Sequence, residues 1–133
     1  MTFVHGKNTF VSLGGTNISA YTNSTTFNRE ADSHEVTTYG KASKVYRGGL
    51  KDAKVTVSGW YDDAATGPHT LIAPLVGTNA AFVFRPEGTG SGKPQSTVDV
   101  LVTSYNESSP VADHIQWTAE LQCSDTINDA PQA

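Results

Sequence analysis

Ala53-Lys54-Val55-Thr56-Val57-Ser58-Gly59-Trp60-Tyr61 decides the fold. Side chains alternate with period two: Val55 and Val57 point one way, Lys54, Thr56 and Ser58 the other. Such a stretch is a strand with one face in a core and one face toward solvent. Trp60 falls on the polar face. An aromatic there packs under a neighbouring element or meets a partner, and packing under a helix is the expectation.

The feeder of this strand has the opposite character. From Arg29 to Asp52 the chain is polar and charged, with no apolar stripe to hold it on a core. A segment of that length and composition needs a partner to order it. Within it, Val36-Thr37-Thr38-Tyr39 and Lys44-Val45-Tyr46-Arg47 can pair as a small hairpin around Gly40, and Gly48-Gly49 marks the arm's end.

Other strands follow from the same period. Thr9–Leu13 is a short strand turned by Gly14-Gly15. Residues 17–27 read as a second, bent at Asn23-Ser24 by a bulge. Ala80–Arg85 carries the apolar run Phe82-Val83-Phe84. Thr97–Tyr105 puts Val98, Val100 and Val102 on one face. Ile115–Cys123 places Ile115, Trp117, Ala119, Leu121 and Cys123 inward. One helix opens at Gly67-Pro68, is kept short by Pro74 and stops at Gly77. The tail after Ser124 is polar and expected to be loose. The sum is mainly β: one domain, residues 1–133, an antiparallel sandwich or barrel with one short flanking helix.

The chain has 133 residues, enough for one domain with its own core. Hydrophobic residues make up 37% and charged residues 17%, and Ser, Thr, Asn and Gly fill the difference. One cysteine, Cys123, permits no internal disulfide. No apolar run is long enough to span a membrane, and the N-terminus has no signal-peptide core. The net charge is −4, unevenly spread: residues 29–54 hold six of nine basic side chains, while residues 62–133 hold nine acids against Arg85 and Lys93. That asymmetry is compatible with head-to-tail self-association, while a solvated surface is the commoner reading of scattered charges.

No motif points to chemistry. Gly88-Thr89-Gly90-Ser91-Gly92 lacks the Gly-Lys-Ser/Thr ending of a phosphate loop and opens no helix. His5, His34, His69 and His114 have no metal-ligand spacing, and exposed or capping roles are expected. No Gly-x-Ser-x-Gly elbow occurs. Asp62-Asp63 is read as a solvated turn and Cys123 as a small core residue. There is no basic stripe with interleaved aromatics for DNA, so the expectation is no enzyme and no cofactor.

Three groups of residues carry a resemblance. The first is Leu13-Gly14-Gly15-Thr16-Asn17-Ile18-Ser19-Ala20-Tyr21 with Phe27-Asn28-Arg29-Glu30-Ala31-Asp32 and Thr37-Thr38-Tyr39-Gly40-Lys41. The second is Gly48-Gly49-Leu50-Lys51-Asp52-Ala53 with Ser58-Gly59-Trp60-Tyr61-Asp62. The third is Thr103-Ser104-Tyr105 with Ser109-Pro110-Val111-Ala112-Asp113. Together they resemble the tail tube proteins of long, flexible-tailed bacteriophages, from about residue 10 to about residue 123. Small β-rich virion proteins such as capsid decoration proteins are the alternative.

The resemblance implies a β-sandwich whose copies form six-membered rings. The rings stack into a hollow virion tail, assembled in the host cytoplasm, through which the genome leaves. It implies that the long loop at residues 30–49 packs on the adjacent ring. Arg29, Glu30, Asp32, Lys41, Lys44 and Arg47 are then the expected inter-ring contacts. Partners implied are other copies of the chain, a tape measure protein, and tail tip or terminator proteins. Double-stranded DNA passes only in transit, and no membrane is involved. A lumen that must not hold DNA should carry more acid than base. Asp99 and Glu120, on the outward faces of their strands, are the expected lining.

Overall fold

The computed structural model describes residues 4–61 and 67–132; Asp62-Asp63 lies outside them. Seven strands occur in the order β1 (Phe10–Leu13), β2 (Thr16–Asn17), β3 (Thr22–Glu35), β4 (Tyr46–Trp60), β5 (Asn79–Arg85), β6 (Ser96–Ser108) and β7 (Gln116–Asn128). They form one antiparallel sheet, ordered β2-β1-β5-β6-β7-β4-β3. Among the described residues one α-helix, α1 (Pro68–Ile72), continues into a 3-10 turn at Ala73–Leu75. Pro68 opens the helix where its missing N–H costs nothing, and Pro74 falls where the α-helix has already given way.

The sheet is not flat. Phe27 of β3, the last strand in the order, lies 6.1 Å from Phe82 and 6.0 Å from Phe84 of β5, the third. Strands that are not sheet neighbours touch only if the sheet curls over on itself, which gives the expected sandwich from one continuous sheet. The core lies inside the curl: Val55, Val57, Phe82, Val98, Val100, Val102, Trp117, Ala119 and Leu121, with Ile72 of α1 beneath. Each fully buried Val, Leu or Phe contributes ~1.5–3 kcal/mol relative to exposure.

At one corner the backbone itself requires a particular residue. A Cβ on Gly59 would stand 1.8 Å from the Tyr21 carbonyl oxygen, so only glycine lets the start of β3 cross β4 there. The Trp117 indole N–H donates to that same carbonyl (3.2 Å) and to the Trp60 carbonyl (3.1 Å). The buried ring is thereby satisfied and locks the crossing.

Four expectations are corrected. Trp60 does not pack under a helix: it is 44% exposed, its ring edge-on to His114 at 6.1 Å. Ile115 precedes β7 and is exposed rather than inward. The tail is not loose: β7 runs on to Asn128, and Asp129 and Gln132 are both bonded to the body. The stretch from residue 17 to 27 is not one strand, because a 3-10 turn at Ser19–Tyr21 separates β2 from β3. The bulge near Asn23-Ser24 is present, as a register shift between Thr22 and Ser24.

Candidate functional site

The polar arm is the far half of the longest hairpin in the molecule. β3 pairs with β4 from Thr22↔Gly59 to Glu35↔Tyr46. β7, the other neighbour of β4, pairs with it only from Lys54 to Trp60. Beyond Lys54 the two strands run on without a third strand, held at first by the Gln122 amide, which donates to the Ala53 carbonyl (2.9 Å) and to Asp52 Oδ1 (2.6 Å). At roughly 3.3 Å per residue, the overhang of β4 from Tyr46 to Ala53 is about 26 Å, as long as the part held in the body.

From Asp52 outward both faces of the overhang are exposed. Every residue from Asn28 to Asp52 is exposed except Val45 and Gly49, which are half-buried. A two-stranded ribbon with no covered face is marginal in water. The pairing was expected to span only residues 36–39 with 44–47, and the arm to end at Gly48-Gly49. Instead those glycines sit inside β4 at a bulge, where Asp32 faces both Gly49 and Leu50. A Cβ on Gly49 would meet the exposed His34 ring at 2.6 Å and Asp32 Cβ at 3.0 Å, so a larger residue there would displace the His34 side chain. The tip, residues 36–45, is tied by the Val36 N–H donating to the Val45 carbonyl (2.8 Å). There the Val45 N–H also donates to Thr37 Oγ1 (2.9 Å).

Five of the six expected contact residues lie on this overhang. Glu30 stands opposite Asp52, Asp32 sits at the bulge, Lys41 and Lys44 lie in the tip, and Arg47 stands opposite His34. Lys44 comes within 4.0 Å of Glu35. Arg29 departs from the group. Its guanidinium donates to both Asp129 carboxylate oxygens (2.9 and 2.8 Å) and to Ser96 Oγ (2.9 Å), over the Phe27 ring. The bond to Asp129 raises the Arg29 pKa, and the bond from Arg29 holds the Asp129 carboxyl below its usual range. Three residues on, Gln132 pairs through its backbone with Gly92 and Lys93 and through its amide with Gly88 and Gly90. The C-terminal segment therefore straps the root of the hairpin to the loop after β5. An open groove of about 730 Å³ runs between that root and the end of β7, past Leu50, Ile127 and Cys123. Burial pushes the Cys123 thiol up, as a partly covered apolar site would.

Asp99 and Glu120 share the outer face of the sheet. Asp99 faces Ala81 and Ser124, is exposed, and has no cation within ion-pair distance among the described residues. Glu120 faces Thr56 and Ser104 and lies 3.7 Å from Lys54. That cation offsets its charge, which single-strand periodicity does not reveal.

At the other end of β4, His69 of α1 meets Glu107 of β6 at 2.6 Å. Tyr105 stacks on Trp117 beside them (6.2 Å); burial, then Glu107, pushes its phenol above the usual range. Its hydroxyl makes no hydrogen bond of good geometry. Among the described residues no group of three or more His, Cys, Asp or Glu could hold a metal ion, and no helix is long and apolar enough to cross a membrane.

No protein-family model matches the sequence, and no curated protein does. The fold, by contrast, recurs over nearly the whole chain. A chain of the virion of a native gene transfer agent (GTA) particle matches with a TM-score of 0.81 at 15% identity, over 96% of this chain and 99% of that one. A chain from the tail of an empty GTA particle with C6 symmetry matches with a TM-score of 0.77 at 14% identity, over 96% and 99%. The SPP1 tail tube chain matches with a TM-score of 0.76 at 10% identity, over 98% of this chain and 81% of that one. The chain thus has the fold seen in those tail assemblies.

Proposed function

We propose that this chain is a tail tube subunit. Copies join into six-membered rings, and the rings stack head to tail into the hollow conduit of a virion tail. Its role is structural, without chemistry of its own. The observation that carries the reading is the hairpin overhang up to Asp52, as long as the part of β4 held in the body and exposed on both faces. Such a ribbon is built to be covered by another chain. The shared fold supports the same role, since its counterparts come from a GTA tail with C6 symmetry and from the SPP1 tail tube.

Ring formation also answers a problem of the isolated sheet. β3 is its terminal strand, and a 14-residue strand with one unpaired edge invites aggregation. Pairing that edge with a neighbouring copy removes it. In the tube, the hairpin carrying Glu30, Asp32, Lys41, Lys44 and Arg47 contacts the next ring. The outer sheet face with Asp99 and Glu120 lines the channel. Double-stranded DNA passes without being held, and a tape measure protein and tail terminator complete the tail.

Negative-stain microscopy of the purified protein tests the reading. Hollow tubes or six-fold rings are expected. A stable monomer or trimer that binds capsids would instead make it a decoration protein.

A further inference from the structure

Among the described residues, seven of the nine exposed large apolar side chains fall at two opposite ends of the molecule; Val4 and Val76 lie apart from both. Val36, Tyr39, Tyr46 and Leu50 lie on the hairpin. Trp60, Val111 and Ile115 lie where β4 ends and β6 turns into β7, the far end of the same strand axis. The two ends also differ in charge. Between Val36 and Leu50 the charged side chains are Lys41, Lys44 and Arg47, all basic; Glu35, just before Val36, takes up Lys44, and among the described residues Lys41 and Arg47 have no ion-pair partner. From Glu107 to Ile115 they are Glu107 and Asp113, both acidic, and Glu107 is already paired with His69. Among the described residues no cation lies within ion-pair distance of Asp113.

We infer that this second end, Trp60 with Val111, Asp113 and Ile115, is the surface that receives the hairpin tip of a second copy. Three properties fit the two ends to each other: opposite charge, apolar side chains on both, and position. The overhang of about 26 Å leaves the body at the end of β4 opposite Trp60, so a copy placed end-on brings its tip toward the far end of its neighbour. Two different surfaces of one chain then meet, which propagates head to tail instead of closing a dimer. The Trp60 ring, 44% exposed and edge-on to His114 at 6.1 Å, is an aromatic of the kind that dominates interface energetics. Asp113 supplies the long-range attraction and sets the register.

This inference rests on the tube reading, and the test separates the two. Tube growth is followed by light scattering for wild type, Asp113→Lys, Trp60→Ser, and Asp113→Lys combined with Lys41→Glu and Lys44→Glu. Amide exchange of core strands shows that each variant is folded. Either single variant should raise the protein concentration needed for growth by roughly tenfold or more, because each lost contact repeats at every copy. The charge-exchanged variant should recover most of that loss. A second measurement places Cys at Lys44 and at Val111 in a Cys123→Ala background, where oxidation of tubes should yield a ladder of linked chains. Tubes of the cysteine-pair variant that give no ladder, or unaltered growth of both single variants, would place the receiving surface elsewhere and leave the tube reading standing. A wild-type chain that never polymerises overturns both.

Discussion

Two residues hold the corner from which the hairpin springs. Trp117 is buried and gives its N–H to two backbone carbonyls; Gly59 makes room for one of them. Trp117→Ala leaves a cavity and two carbonyls without their donor, and should cost ~3–5 kcal/mol in chemical denaturation. Gly59→Ala must push the Tyr21 backbone away and should lower the melting temperature comparably; a change of a degree or less would show that the crossing relaxes freely. A third residue acts through charge. Asp129, held low by Arg29 and then by Ser96, binds its proton less readily folded than unfolded. Its stabilisation is therefore present above the ordinary aspartate value of 3.8 and lost as pH falls through the depressed folded value. The gap in melting temperature between wild type and Asp129→Asn should be full at neutral pH and close in strong acid. A gap that stays constant would mean that the strap does not depend on the ion pair.

At the scale of elements, the strands were legible because alternation is a local property. Val55 and Val57, Val98 to Val102, and Trp117, Ala119 and Leu121 all face the core that their period predicts. What local period cannot show is where it breaks. Tyr105 differs in parity from Val98, Val100 and Val102, yet it packs on the same core, because a register shift between Val102 and Ser104 inserts Thr103 as an extra residue. The hairpin was legible as an arm but not as a continuation of β3 and β4. Its pairing is between strands, and Gly48-Gly49 reads as a stop when it is a bulge. The strap was invisible for the same reason, since Arg29 and Asp129 lie 100 residues apart. The hairpin carries its own prediction. Reversing Lys41, Lys44 and Arg47 together to Glu should abolish tube growth and leave the circular dichroism of the subunit intact. Each exposed pair is worth only ~0.2–1 kcal/mol, but the loss repeats at every copy. Normal tubes from the triple variant would show that the basic tip is not a contact.

For the whole molecule, one curled sheet carries an exposed ribbon at one end and an apolar patch with Asp113 at the other, the two surfaces that the proposed stacking joins. Its outer face bears Asp99 and Glu120, the latter beside Lys54. Changing both acids to Lys should slow genome ejection and make it more salt-sensitive, because each basic group that meets a phosphate adds affinity through counterion release. Unchanged ejection through normal tubes would mean that this face is not the lining. The central claim, that the ribbon from Asn28 to Asp52 is ordered by another copy, has a more direct measurement. Amide hydrogen exchange of these residues is compared in the unassembled subunit and in the tube. The account predicts rapid exchange in the subunit, since the ribbon has no covered face, and strong protection on assembly, while β6 and β7 are protected in both. Equal exchange of residues 28–52 before and after polymerisation would contradict it.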